Sequence, residues 1–274
     1  MKMRKRTQAL LVTLLSFLIL IICVIGVLAK MNPTFLDIIF PNGPRVIIRG
    51  NSPLPTVKVN PDPSTNNEDW YLTPPVKGKD DSGNEATFEF YTLIGVNHDY
   101  GWEFGSWETI QDGLNKLSMN ANKFLDLKLN QRGMKYRIEN ASDIISVGVA
   151  SCEGYKQTEE ARAEKRAKVI RRSVEPIAKT IKGNLYLLLL GQYSDESCPA
   201  KSPEETLVQR SVIIIGVVQK DQNVNLKQAV RSAMSNLVRD QKIKQSVEKL
   251  FQDPSRSPLG VLKPDKYTLF DLKV

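Results

Sequence analysis

Histidine is almost absent from this chain, which has a single one, His98, among 274 residues. One histidine cannot supply a multi-histidine metal site. A Ser-His-Asp triad would need His98 as its base, and no Gly-x-Ser-x-Gly elbow accompanies it. Glycine loops of the kind that cradle phosphates are also missing. The sequence therefore predicts a protein that is not an enzyme and that uses no metal or cofactor.

Long apolar runs are equally scarce, since only residues 9–29 are apolar almost throughout. A helix that rises about 1.5 Å per residue spans the roughly 30 Å hydrocarbon core of a bilayer over this length. Four basic residues and no acidic ones lie in residues 1–8. The positive-inside tendency therefore predicts a single-pass membrane helix with a cytoplasmic leader at 1–8 and the remaining chain outside the cytoplasm.

Two alternatives to a permanent anchor compete for the same residues. A secretory signal peptide has an apolar stretch of about 7–15 residues before a small-residue cleavage site, and Val27-Leu28-Ala29 could serve as that site. The apolar run is longer than such a stretch, which favours an uncleaved helix. Lipoprotein processing at Cys23 is disfavoured, because Ile22 is bulky where a small residue is expected.

The net charge of +8 raises the possibility of a nucleic-acid partner, which the pattern of the charges does not support. Part of the charge belongs to the leader, and no basic motif interleaved with aromatic residues is present. Residues 30–84 hold nine of the 15 prolines. Because proline disfavours helices and central strands, this segment predicts an extended spacer between the membrane and a folded domain.

Periodic apolar patterns begin near residue 85 and predict an α+β domain at 85–220, followed by helices and a tail at 221–274. We expect strands at 86–96, 143–150, 185–190 and 212–218, and helices opening near Ser106 and covering 163–181, 226–237 and 242–251. This order predicts one mixed β-sheet with helices packed on it.

One motif lies at the end of the predicted strand 143–150. The stretch Gly148-Val-Ala-Ser-Cys-Glu-Gly154 is followed, on the next helix, by Arg166-Ala167. This arrangement resembles the OmpA-like (MotB-like) peptidoglycan-associating domain, in which a strand ends in Gly-His-Thr-Asp-x-x-Gly and the next helix carries an Arg-Ala pair. The spacing from the family's aspartate to its arginine equals that from Ser151 to Arg166.

Two further stretches downstream are similar to the same family. Leu185 to Tyr193 resembles its third strand, and Gln209-Arg210-Ser211-Val212-Ile213 resembles the opening of its last strand. The resemblance covers residues 105 to 219 and implies a βαβαββ arrangement.

The resemblance also implies a ligand site lined by Ser151, Glu153, Arg166 and Arg210. In the family, a carboxylate pairs with the ammonium of the peptidoglycan stem peptide while the arginine grips its carboxylate in a bidentate fork. Ser151 stands at the carboxylate position here, so that Glu153 would have to replace the missing charge. Alternatively, Arg166 is a solvated helix residue, and Arg210 is either an edge-strand charge or a partner for Glu153.

Cys152 and Cys198 each follow a predicted strand of the same βαβ unit. Parallel strands end on the same side of a sheet, so the two loops should be neighbours. A disulfide between them is expected in an oxidising compartment, and two unpaired thiols are the alternative.

These features predict a bacterial inner-membrane protein with its C-terminal domain in the periplasm. The domain would associate non-covalently with peptidoglycan or with an envelope protein. The alternative is an OmpA-like scaffold that has lost peptidoglycan binding and acts in protein–protein assembly through its C-terminal helices.

Overall fold

The structure, a computed structural model, describes residues 69–94, 100–112, 117–179, 183–194, 205–250 and 258–274, together with Ile181, Cys198 and Ser202. The predicted leader at 1–8, the membrane helix at 9–29 and His98 lie outside these residues, as does most of the spacer. Within the described ranges, no helix is both long enough and apolar enough to cross a bilayer.

The described residues form ten strands and five α-helices, so the domain is an α+β domain. The strands are β1 (Trp70–Leu72), β2 (Val76–Lys79), β3 (Glu85–Leu93), β4 (Tyr100–Trp102), β5 (Thr109–Asp112), β6 (Leu117–Asn120), β7 (Asp143–Ala150), β8 (Leu185–Gln192), β9 (Val212–Lys220) and β10 (Asp271–Lys273). The helices are α1 (Ala121–Leu129), α2 (Arg132–Asn140), α3 (Lys156–Ala178), α4 (Leu226–Arg239) and α5 (Gln241–Leu250). Short 3-10 turns occur at Leu207–Arg210, Pro258–Val261 and Pro264–Lys266.

The main sheet is mixed, as predicted. Its strand order is β1-β3-β9-β7-β8-β10, with β2 also paired to β3. Strands β7 and β8 are parallel, and the other pairs are antiparallel. Predicted strands at 143–150, 185–190 and 212–218 are confirmed as β7, β8 and β9. The predicted strand at 86–96 is confirmed as far as Leu93.

Both faces of this sheet are buried, which explains the continuous apolar runs of its central strands. Along β9, Ile213 and Ile215 point into the core beneath α4, whereas Val212 and Ile214 point into the core beneath α1, α2 and α3. A helix layer on each face thus removes the whole centre of the sheet from water.

Glycines allow a close helix approach on each face. A Cβ atom on Gly148 of β7 would lie 2.2 Å from the carbonyl oxygen of Ala163 in α3. A Cβ atom on Gly78 of β2 would lie 1.9 Å from the carbonyl oxygen of Ala229 in α4. Only a residue without a side chain fits at these two contacts, and the contact at Gly148 brings α3 against the strand that precedes the candidate site.

The predicted helix opening near Ser106 is wrong over its first half. Residues 109–112 and 117–120 form β5 and β6, an antiparallel pair that belongs to a separate three-stranded sheet with β4. The helix α1 begins only at Ala121, where the Asn120 side chain accepts a hydrogen bond from the Lys123 N–H at 3.2 Å. Helix α2, which follows at 132–140, was not predicted. Ile110 is buried as expected, but on a strand.

The boundaries of the domain also differ from the prediction. Strands β1 and β2 fall inside the predicted spacer, so the folded region already includes residues 69–84. At the other end, residues 258–274 do not form a loose tail, because β10 pairs with β8 and Tyr267 is buried in the core. The helices predicted at 226–237 and 242–251 are confirmed as α4 and α5. Because α4 packs its apolar face on the sheet, that face cannot serve a partner.

Candidate functional site

The loop that follows β7 is held by polar side chains from two neighbouring segments. Gln192, the last residue of β8, donates from Nε2 to the carbonyl oxygens of Cys152 at 3.0 Å and Gly154 at 2.7 Å. Gln209, just before β9, accepts from the Cys152 N–H at 3.2 Å. Ser151 at the start of the loop is buried. The loop is therefore fixed at the edge of the sheet where the parallel strands end.

Cys152 and Cys198 meet at this same edge in a disulfide, with their Cα atoms 5.8 Å apart. The parallel pairing of β7 and β8 explains the proximity, because both cysteines follow the ends of these strands. The covalent state of the protein in its own compartment remains a prediction.

Arg166 projects from the buried face of α3 and is fully enclosed. Its Nε and Nη2 atoms both donate to the carbonyl oxygen of Ser106, at 3.0 and 2.8 Å. Nη1 donates to the carbonyl oxygen of Val149 at 2.9 Å, and Nη2 also reaches that of Glu103 at 3.3 Å. The fork that would grip a ligand carboxylate is thus occupied by the turn between β4 and β5.

That turn, residues 103–106, has a local reason for its shape. The Ser106 hydroxyl accepts hydrogen bonds from the N–H groups of Glu108 at 3.1 Å and Thr109 at 3.2 Å. Serine forms such side-chain turns with the same chemistry by which it caps a helix. Gly105 adopts φ +74°, a left-handed conformation that glycine tolerates without strain. The turn therefore presents its carbonyl oxygens to Arg166 as a preformed unit.

Charged side chains surround the Arg166 guanidinium. Burial first, and then the charge of Arg210, lower the pKa of Arg166 to about 9, while Glu159 and Glu153 oppose that shift. Arg162 lowers the pKa further, although its own Nη1 donates to Glu159. Because the pKa stays above 7, Arg166 remains charged at neutral pH. The hydrogen bonds and the nearby carboxylates keep a buried cation tolerable.

The remaining predicted residues lie at the same edge with partners of their own. The half-buried Glu153 accepts a hydrogen bond from the Thr206 hydroxyl. Arg210 is buried, and its guanidinium carbon lies 5.7 Å from the centre of the Phe104 ring. The structure therefore brings Ser151, Glu153, Arg166 and Arg210 to one edge, but it does not present Arg166 at an open surface.

A groove of about 440 Å³ lies along the first turns of α3 and is lined by other residues. They are Trp107, Gln157, Thr158, Ala161, Arg162 and Lys165. None of the four predicted ligand residues belongs to that set.

The sequence did not predict the roles of Ser106 and Thr206, because a turn carbonyl and a single hydroxyl leave no pattern along the chain. Among the described residues, no group of three His, Cys, Asp or Glu side chains could hold a metal ion.

Comparisons with known proteins add little to this picture. No protein family and no curated protein matches the chain. One solved structure, the OmpA-like domain of FopA1 from Francisella tularensis subsp. tularensis SCHU S4, is similar at 9% identity. The similarity covers 57% of this chain and 85% of that one, with a TM-score of 0.27. A likeness at this level carries no argument about function, so the resemblance to OmpA-like domains rests on the sequence motifs.

Proposed function

We propose that the protein is a single-pass protein of the bacterial inner membrane whose periplasmic, non-enzymatic α+β domain acts in protein–protein assembly. The apolar run at 9–29 and the basic leader support the anchor and its orientation. The motifs around β7, α3, β8 and β9 support an OmpA-like origin for the domain.

The state of Arg166 is the observation that favours assembly over wall binding. A clamp for a zwitterionic stem peptide needs an accessible guanidinium and an accessible carboxylate. Here the guanidinium is enclosed and bonded to its own chain, and Ser151 stands where the carboxylate would be. A ligand carboxylate would have to displace the turn 103–106 before it reached the arginine.

Peptidoglycan association is the second candidate, and Glu153 favours it. Its charge offsets a small part of the lowering of the Arg166 pKa, as the least of the effects on that arginine, and both residues lie at the same edge. Both charges of the clamp are therefore present, although in altered positions. If the turn 103–106 moved aside, the pair could address an ammonium and a carboxylate together.

A pull-down with purified peptidoglycan separates the two candidates. We expect full-length protein in neutral detergent to stay in the supernatant when the peptidoglycan is pelleted. The Arg166→Ala variant should behave in the same way. Glu153→Gln is the sharper probe, because it removes one charge from a half-buried side chain without emptying a buried space. Retention of the wild type that Glu153→Gln abolishes, and that the exposed-site control Arg172→Gln keeps, would overturn the assembly proposal in favour of wall binding.

Crosslinking in membranes tests assembly itself. Phe104 and Tyr155 are exposed by 50% and 89% beside the cluster, and a photo-crosslinker replacing either should yield one discrete adduct with an envelope protein. Tyr136 on α2, exposed by 55%, is the matched control on another surface. Adducts of equal yield and identity at all three positions, or none at any, would contradict assembly through this edge.

A further inference from the structure

A second groove lies on the opposite helix layer, between α4 and the Pro264–Lys266 turn. Its volume is about 330 Å³. Helix α4 contributes Arg231, Ser235 and Arg239, which follow each other at intervals of four residues and so form one stripe. The facing chain contributes Lys263 and Asp265. The groove thus has one basic helical wall and one short opposing wall.

Positive charge dominates this groove. Arg231, Arg239 and Lys263 line it, and Asp265 is the one carboxylate among its lining residues. Within the part of the chain that the structure describes, none of the three cations forms an ion pair. A concave surface with an excess of cations concentrates anions at its centre.

Two acids close to α4, neither of which lines the groove, have partners of their own. Asp271 on β10 forms an ion pair with the ammonium of Lys227 at 3.2 Å. Lys227 lies on α4, one helical turn before Arg231. Asp240, at the end of α4, accepts the N–H groups of Lys242 at 2.8 Å and Ile243 at 3.1 Å and so caps α5. Each of these two carboxylates has a structural task, so among the lining residues only Asp265 opposes the charge of the three cations.

Arg231 is also held in position before any ligand arrives. Its guanidinium carbon lies 5.1 Å from the centre of the Phe270 ring, within the range of a cation–π contact. Stacking on an aromatic face restricts the side chain while leaving its N–H edges free to donate. Arginine forks of this kind match the tetrahedral oxygens of phosphate, and a lysine adds a point charge.

We propose that this groove binds a phosphate group, either as a soluble phosphate or as the phosphodiester of an anionic lipid headgroup. Arg231 and Arg239 donate to the phosphate oxygens from the α4 wall, and Lys263 approaches from the facing wall. Asp265 opposes binding by its charge and so sets the affinity. This site stands apart from the Arg166 edge and does not depend on the function proposed for that edge.

The test has a soluble arm and a lipid arm, both with the full-length chain. In the first, protein in neutral detergent is titrated with inorganic phosphate at constant ionic strength, and its thermal midpoint is followed. In the second, protein in phosphatidylcholine nanodiscs is compared with protein in nanodiscs that also contain phosphatidylglycerol. Hydrogen exchange of the α4 and 263–266 amides then reports occupancy.

Four variants decide whether binding is specific to the groove. Arg239→Gln and Lys263→Gln should each weaken binding about tenfold, the effect of losing one charge-assisted hydrogen bond. Asp265→Asn should tighten it, because it removes the opposing charge. Arg172→Gln, an exposed cation on α3, should change nothing.

The outcomes separate cleanly. A saturable effect in the soluble arm alone assigns the site to free phosphate, and an effect in the lipid arm alone assigns it to headgroups. Either result supports the site if the four variants behave as described. Absence of an effect in both arms, or equal weakening by Arg172→Gln, overturns it, because only bulk charge would then remain.

Discussion

Arg166 carries a positive charge into a place that water does not reach. Burying a charge is costly unless hydrogen bonds replace the lost hydration. Here the carbonyl oxygens of Glu103, Ser106 and Val149 do so. Since these carbonyls belong to the turn 103–106 and to β7, the side chain joins three separate segments of the fold. Its first role is therefore structural, whatever else binds at this edge.

Replacing Arg166 by alanine should lower the free energy of unfolding by roughly 3 to 5 kcal/mol, because it leaves buried carbonyl oxygens without donors. Chemical denaturation followed by circular dichroism measures the change. Arg172→Ala is the control on the same helix, since that side chain is exposed, and it should stay within about 0.5 kcal/mol of the wild type. Equal stability of the two variants would show that the turn holds its place without Arg166.

At the scale of elements, the loops that follow β7 and β8 are joined to each other at the edge where these strands end. The disulfide links the loops after these two strands, and Gln192 and Gln209 hold the same loop by hydrogen bonds. The covalent link and the hydrogen bonds act on one short stretch, residues 151–154. Loss of either should loosen that stretch before it disturbs the sheet.

Reduction of the Cys152–Cys198 disulfide should cost about 4 kcal/mol of unfolding free energy, the chain-entropy value for a separation of 46 residues. Denaturation with and without reductant in a Cys23→Ser background measures this difference. The Cys152→Ser/Cys198→Ser double variant should be insensitive to reductant. Mass analysis of non-reduced tryptic peptides must also show the linked pair, and two free thiols would contradict the prediction.

At the scale of the whole molecule, the domain is a sheet with a helix layer on each face, preceded in sequence by the predicted anchor. The two faces of the sheet carry different surfaces. One carries α3 and the Arg166 edge, and the other carries α4 and the basic groove.

The predicted membrane helix at 9–29 can be tested at this scale. Protein extracted from membranes should retain residues 1–29 in its intact mass and resist release by alkaline carbonate. Ile19→Arg, which places a charge at the centre of the predicted helix at a cost of about 3 kcal/mol, should shift part of the protein to the soluble fraction. Leu117→Arg, on an exposed side chain of the domain, should not. A mature chain that begins after Ala29 would establish a cleaved signal peptide instead.

Patterns along the chain predicted the elements whose cause is local. The buried strands β7, β8 and β9 are visible in the sequence as apolar runs, and α3 as an apolar stripe predicted at 163–181. The helix itself covers Lys156–Ala178, with Pro176 inside it. The predictions were wrong where the same residue type is compatible with two local structures. Ser106 has the chemistry to cap a helix or to close a turn, and it closes a turn here. Likewise, the Pro- and Lys-rich end resembles a tail until its pairing with β8 is known.

The sequence by itself determined the order of the βαβ unit, the apolar run before it and the spacing of Ser151 and Arg166. These are properties of neighbouring residues, and periodicity or hydrophobicity expresses them directly. Only the tertiary structure decided what Arg166 binds, because its acceptors at Glu103 and Ser106 are about 60 residues away along the chain. Tertiary packing also decided the basic groove, since its walls come from α4 and from a turn near the chain's end. Contacts at such separations depend on how helices and strands pack, which no local pattern records.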